Sequence, residues 1–97
     1  MSGKIVINGI EFKKDELIRA CFGISDGYLI DTFTLERTPS DKKIKNLIES
    51  NSIFEVEYFD KDNQLFGILT EGRYCDYKIE PTLERLQLSG IVKLIDM

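Results

Sequence analysis

Residues 38–69, TPSDKKIKNLIESNSIFEVEYFDKDNQLFGIL, contain a change of hydrophobic period that decides the fold. Thr38 can cap a helix N-terminus through its hydroxyl, and Pro39 stands where a missing N–H costs nothing. Asp41 adds a carboxylate favourable to the helix dipole. Ile44, Leu47 and Ile48 then share one helical face, so the spacing predicts a helix over residues 39–50, with Asn51 closing it in the left-handed conformation. From Phe54 the period drops to two. Phe54, Val56 and Tyr58 face one way and Glu55 and Glu57 the other, the pattern of a half-buried strand. The polar turn Asp60, Lys61, Asp62, Asn63 leads into a second strand over residues 64–70, in which Gly67 leaves room for a close neighbour or a bulge.

Outward from this unit, the chain continues to read as strands. Asn8-Gly9 is the dipeptide that best supplies two positive φ angles to a two-residue hairpin turn, with Ile5 and Ile7 before it and Ile10 and Phe12 after. Residues 13–24 suit either a helix or a strand, and the strand is preferred. Residues 28–37 read as a strand, Glu71-Gly72 as a bend or bulge, and residues 73–80 as a strand whose apolar side carries Cys75, Tyr77 and Ile79. Pro81 interrupts the pattern, and residues 83–95 form a closing strand with a possible kink at Gly90. The fold expected is therefore mainly β: a sandwich or small barrel of antiparallel strands with one short helix packed on it, residues 1–97 forming a single domain.

Composition narrows the functional classes. A chain of 97 residues, 42% hydrophobic and 31% charged, has the make-up of an ordinary globular domain, able to bury roughly 65% of its unfolded surface. No apolar run approaches the ~18 to 20 residues that span a bilayer, and the N-terminus lacks a signal-peptide core, so a cytoplasmic location is expected, or one within a particle assembled there. Thirteen basic and seventeen acidic residues give a net charge of −4 with the signs interspersed, which argues against a surface that tracks nucleic-acid phosphates. Cys21 and Cys75 lie far apart and outside any CxxC pair; they are expected as free thiols, Cys75 as a small buried hydrophobe.

Reaction chemistry finds little support. The chain has no histidine, which removes the commonest metal ligand and the usual base of a hydrolytic triad. Asp60 with Asp62, and Glu55 with Glu57, are spaced to share a face, yet their polar or outward settings give no apolar pocket to raise a carboxyl pKa. The segment DKDNQL resembles the start of a calcium loop but has Gln64 and Leu65 where Asp or Asn and then Gly are needed. The glycines are dispersed, without a phosphate-cradling motif. No catalytic, cofactor-binding or metal-binding residue is therefore assigned.

Two strands are apolar on both faces. In residues 28–37, Tyr28, Ile30, Thr32 and Thr34 oppose Leu29, Phe33 and Leu35; in residues 64–70, Phe66 and Ile68 oppose Leu65 and Leu69. Either two internal layers absorb both faces or the surplus is buried against other proteins. Tyr28, Ile30, Phe66 and Ile68 are the candidate partner-interface residues.

Four fragments, VINGIEF (6–12), KIKNLIESNSIFEVEYFD (43–60), GILTEGRYCDYKI (67–79) and LQLSGIVKLID (86–96), occur in an order that resembles small tail proteins of bacteriophages and phage-like particles, the tube, distal-tail and baseplate subunits. The resemblance lies in an I-N-G start, a short helix with a leucine pair, an F-x-V-x-Y strand and a late strand. It implies a β-sandwich flanked by one helix, assembling into rings or docking onto them without catalysis. In this chain it assigns Asn8 and Gly9 to the early turn, Leu47 and Ile48 to helix docking, and Phe54, Val56 and Tyr58 to the core strand. The chain is short for a tube subunit and has no clear long loop for ring contacts.

The function expected is thus that of a non-enzymatic structural component of a phage tail or a related contractile or injection particle. It would act as a homo-oligomer or with other particle subunits, without nucleic-acid, membrane, cofactor or small-molecule partners. The alternative is a small cytoplasmic binding protein, such as a phage-encoded inhibitor of host defence or a regulatory module, acting through its acidic strand faces.

Overall fold

The computed structural model describes residues 2–25 and 30–95. Among these, β1 (Ser2–Ile7), β2 (Ile10–Lys13), a 3-10 turn (Lys14–Glu16), β3 (Leu17–Gly23), β4 (Asp31–Arg37), α1 (Lys43–Ser50), β5 (Phe54–Asp60), β6 (Leu65–Ile79) and β7 (Glu84–Leu94) follow in order. The strands make one antiparallel sheet, β2-β1-β5-β6-β7-β4-β3, curled into a half-barrel with α1 packed on it. Its two edge strands, β2 and β3, are consecutive in the chain. Three residues of 3-10 turn therefore hold the edges together at one end of the curl.

Alternation explains what lies inside. Ile5 and Ile7, Phe33 and Leu35, and Leu86 and Leu88 are fully buried, as are Phe12, Val56 and Leu69. Ile44 and Leu47 of α1 join the same core, with Ile48 packed at its margin. Asn8 (φ 49°) and Gly9 (φ 83°) make the two-residue turn with the positive φ angles it needs. Asn8 does more than turn the chain: its Nδ2 donates to the Ile53 carbonyl (3.0 Å) and its Oδ1 accepts from the Glu55 N–H (2.8 Å), tying the β1–β2 hairpin to the start of β5.

The curl is tight because β6 is bulged. Its register slips opposite Tyr58 and Phe59, again between Thr70 and Arg73, where Glu71 takes φ 52°, and again between Tyr74 and Asp76. Each slip adds a residue to one strand and increases its bend. The curl brings Phe22 of β3 onto β6, three strands away in the sheet, and Gly67 makes room for it: a Cβ there would stand 2.8 Å from Phe22 Cε2.

Several sequence expectations are corrected. The helix begins at Lys43, four residues later than expected, and its first N–H group is met by Asp41 Oδ1 (2.9 Å) rather than by Thr38. Asn51 is extended (φ −138°) and closes the helix with its side chain, Nδ2 donating to the Leu47 carbonyl at 3.0 Å. Cys75 is exposed, since it is the extra residue of the last β6 bulge, where alternation loses its phase. Ile79, beyond that bulge, is 59% exposed. Glu71-Gly72 is a bulge within one continuous strand, and residues 17–23 are a strand as preferred.

Leu47 is 1% exposed and joins α1 to the sheet. Leu47→Ala is expected to lower stability by about 2–5 kcal/mol, measured by denaturant unfolding followed by circular dichroism. A loss below ~0.5 kcal/mol would place that side chain on the surface.

Candidate functional site

Two features stand out, at opposite ends of the half-barrel. At the mouth, away from the 3-10 turn, four aromatic rings pack in series. Phe22 lies 5.3 Å from Phe33 and 5.7 Å from Tyr58, and Tyr58 lies 5.4 Å from Phe66, all with tilted planes. Phe22, Tyr58 and Phe66, with Ala20, Cys21, Ile24 and Leu94, line a groove of about 280 Å³. Ile24 (59%), Phe66 (45%) and Leu94 (44%) present much of their surface to solvent. The groove continues past Tyr58 and Phe66 to the turn residues Asp60, Lys61 and Asp62. Among its described lining residues the apolar stretch carries one thiol and one phenol and no carboxylate. Such a lining is complementary to apolar groups.

At the other end lies a buried ion network. Arg37, the last residue of β4, is 1% exposed and is paired in register with Glu84, the first of β7, which is 0% exposed. Arg37 Nη1 donates to Asp41 Oδ1 (2.9 Å) and approaches Glu84 Oε1 (3.5 Å), while Nη2 donates to Glu16 Oε2 (3.1 Å). Lys43 Nζ reaches the same Glu16 oxygen (3.2 Å) and the Glu11 backbone carbonyl. Both cations sit over the Phe12 ring, at 5.4 and 4.4 Å from its centroid. Tyr77 closes the network by donating its hydroxyl to Glu84 Oε2.

The titrations follow from these contacts. Burial works to raise the Glu16 carboxyl pKa, but the Lys13 N–H, Lys43 and Arg37 together hold it below its ordinary value. Asp41 is lowered mainly by its bond to Arg37 and then by the Lys43 N–H. For Arg37, burial opposes the charge, and the Asp41 hydrogen bond and the surrounding carboxylates outweigh it. Burial, then the bond to Glu84, pushes the Tyr77 phenol up to about 12.

Two of the sequence-derived interface residues, Phe66 and Ile68, do not share a surface. Phe66 is in the groove, but Ile68 is half-buried between Glu57 and Lys93, its partners on the flanking strands. The bulge at Phe66 separates them: Tyr58 pairs with Gly67 and Phe59 with Leu65, so Phe66 is the extra residue and turns onto Tyr58. Ile30 is 63% exposed beside the β3–β4 connection, and Tyr28 lies outside the described residues. The carboxylates weighed for chemistry have structural or solvated positions. Glu55, Glu57 and Asp62 are exposed, and Asp60 Oδ1 accepts from the Asp62 and Gln64 N–H groups (2.8 and 3.0 Å) to form its turn. The ion network was missed altogether. Its signal is present in the alternation, since Arg37 continues the inward series Phe33, Leu35 and Glu84 begins the inward series Leu86, Leu88.

Removing one member of a buried pair leaves the other charge uncompensated. Arg37→Ala should therefore lower stability by about 3–5 kcal/mol, and Arg37→Met with Glu84→Leu together should recover most of it. Equal losses in the single and double variants, by denaturant unfolding, would show that the charge pair is not what is lost. A second expectation concerns alkaline pH. The Tyr77 phenol keeps its proton to about 12 in the folded chain and to 10.0 in the ordinary case, so it contributes stability below pH 10 that is lost as pH rises toward 12. Tyr77→Phe should lose less stability across that interval than the parent; parallel curves would contradict the burial assigned to Tyr77.

No protein-family model and no curated protein matches this chain.

Proposed function

We propose that this chain is a non-enzymatic assembly domain that docks onto a neighbouring protein subunit through the aromatic groove at the mouth of its half-barrel. The observation that carries the reading is the groove itself: Phe66, Leu94 and Ile24 are left 44–59% exposed next to the stacked Phe22–Tyr58 pair, a contiguous apolar surface of the kind that marks protein contacts. Aromatic anchors of this sort dominate interface energetics when a partner excludes water from them. The particle meant is the phage tail or related contractile or injection particle whose subunits the sequence resembles, with assembly in the cytoplasm. Among the described residues no helix is long and apolar enough to cross a membrane. The ion network supports the same reading indirectly, because it fixes the far end of the barrel and leaves the mouth as the free surface.

The test is the mass in solution. The proposal expects a ring-sized multiple of 11.2 kDa, or a stable complex with other tail subunits, that Phe66→Asp and Leu94→Asp reduce to free 11.2-kDa chains with an unchanged circular dichroism spectrum. A parent chain that stays monomeric with tail subunits present rejects it. Tight capture of a host enzyme by that monomer would favour the defence-inhibitor alternative.

A further inference from the structure

On a different face, where β1, β2 and the β5–β6 turn meet, Lys4, Lys13, Lys14 and Lys61 surround an open hollow of about 380 Å³ that also touches Gly3 and Asn63. Two carboxylates, Glu11 and Asp60, share it. Glu11 is engaged with Lys4 Nζ at 3.5 Å, and Lys4 also lies 4.9 Å over the Phe59 ring. Asp60 turns one oxygen to the Asp62 and Gln64 backbone N–H groups. Among the described residues no carboxylate oxygen lies within 4.0 Å of Lys13, Lys14 or Lys61 Nζ.

This arrangement works against the fold's own electrostatics. Lys4 and Lys13 stand directly opposite each other in the β1–β2 ladder, and like charges at that separation destabilise a hairpin. β2 is four residues long, so the repulsion falls on one of the sheet's weakest strands. Lys14 follows immediately, and the β5–β6 turn brings in Lys61 from the other side. The chain as a whole carries −4, yet of these four lysines only Lys4 has a carboxylate within ion-pair distance among the described residues. Three unpaired ammonium groups and a fourth shared with Glu11 outnumber the two carboxylates of the hollow, an excess of positive charge that favours an anion in an otherwise acidic molecule.

We infer that the hollow bounded by Lys4, Lys13, Lys14 and Lys61 binds a polyphosphate group, either a free chain or the phosphate tail of a nucleotide. Four ammonium groups on three separate segments can meet several phosphate charges at once, which a single carboxylate or orthophosphate cannot exploit. Each lysine acts as a point charge, so the site reads charge density rather than the planar geometry that arginine would recognise. Binding would relieve the Lys4–Lys13 repulsion and so stabilise the β1–β2 hairpin. The inference stands apart from the docking groove and does not depend on it.

Titration of tripolyphosphate into the intact chain at low ionic strength, followed by amide NMR shifts and calorimetry, tests it. The expected result is saturable binding that weakens with salt and moves the amides of Lys4, Lys13, Lys14, Lys61 and Asn63 together. The double variant Lys13→Glu, Lys14→Glu should bind about tenfold more weakly or worse. Lys42→Glu, Lys45→Glu, exposed just before and within the first turn of α1, makes the same change in net charge and should bind as the parent does. ATP in place of tripolyphosphate separates the two sources: tighter binding at the same amides assigns the nucleotide, equal binding the phosphate chain alone. No saturable binding, shifts spread over all lysines, or equal weakening in the two double variants would overturn the site.

Discussion

A guanidinium with 1% of its surface exposed persists in a protein interior only if its charge is met from several sides, and Arg37 is met from three chain segments at once. Glu84 answers it from the neighbouring strand, Asp41 from the approach to α1, and Glu16 from the 3-10 turn that joins the two edges of the sheet. One side chain thus fixes where β4 ends, where the helix starts and how the sheet closes at that end. It also accounts for the late start of α1. Asp41 is drawn to Arg37 and caps the Lys43 N–H with the same oxygen, so the segment around Thr38 and Pro39 is held as an approach to the helix rather than as its first turn.

The groove at the other end is a consequence of bending. A seven-stranded sheet with a regular ladder would twist gently, whereas the three register slips along β6 bend this one until Phe22 reaches Gly67. Among the described residues β2 and β3 are not paired with each other, and at that end Phe22 meets Tyr58 and Gly67 across the open curl. The result is a stacked aromatic series with one side open. Exposure at the mouth and burial at the network are therefore two outcomes of one curvature, with the core of Ile5, Ile7, Leu35, Leu69, Leu86 and Leu88 lying between them.

Local chemistry was legible in the sequence where one residue decides one conformation. Asn8-Gly9 set its turn, Asp60 to Asn63 formed another, Glu71-Gly72 was a bulge, and the period change at Phe54 marked the handover from helix to strand. What failed was long-range parity. Alternation predicts a face only while the count of residues stays in phase, and each bulge shifts that count by one. Phe66 and Ile68 were assigned one face because they are two apart, and the bulge at Phe66 sent them to different surroundings. Cys75 was placed inside by the same reasoning and came out exposed. The ion network was hidden for another reason. Its members, Glu16, Arg37, Asp41, Lys43, Tyr77 and Glu84, are scattered over nearly seventy residues of sequence, and a charged residue in an alternating strand is ordinarily taken as outward.

The sheet's two edges constrain how this fold can meet another protein. Open strand edges invite pairing with a foreign strand unless something blocks them. On β2 the Glu11 carbonyl is taken by Lys43, and the strand is only four residues long with lysines at its end. On β3 the Tyr58 hydroxyl reaches the Ala20 carbonyl at 3.5 Å from the groove side, while Arg19 is drawn toward β4 by Glu36 at 2.8 Å. Tyr58 thereby has two roles, since the ring that stacks between Phe22 and Phe66 also places its polar end against the vulnerable edge. A partner that extended the sheet at β3 would have to displace that hydroxyl, whereas one that presses apolar side chains onto Phe66 and Leu94 leaves the bond in place. Strand addition at β3 would therefore cost the bond between the Tyr58 hydroxyl and the Ala20 carbonyl, a cost that contact with the side chains at the mouth does not carry.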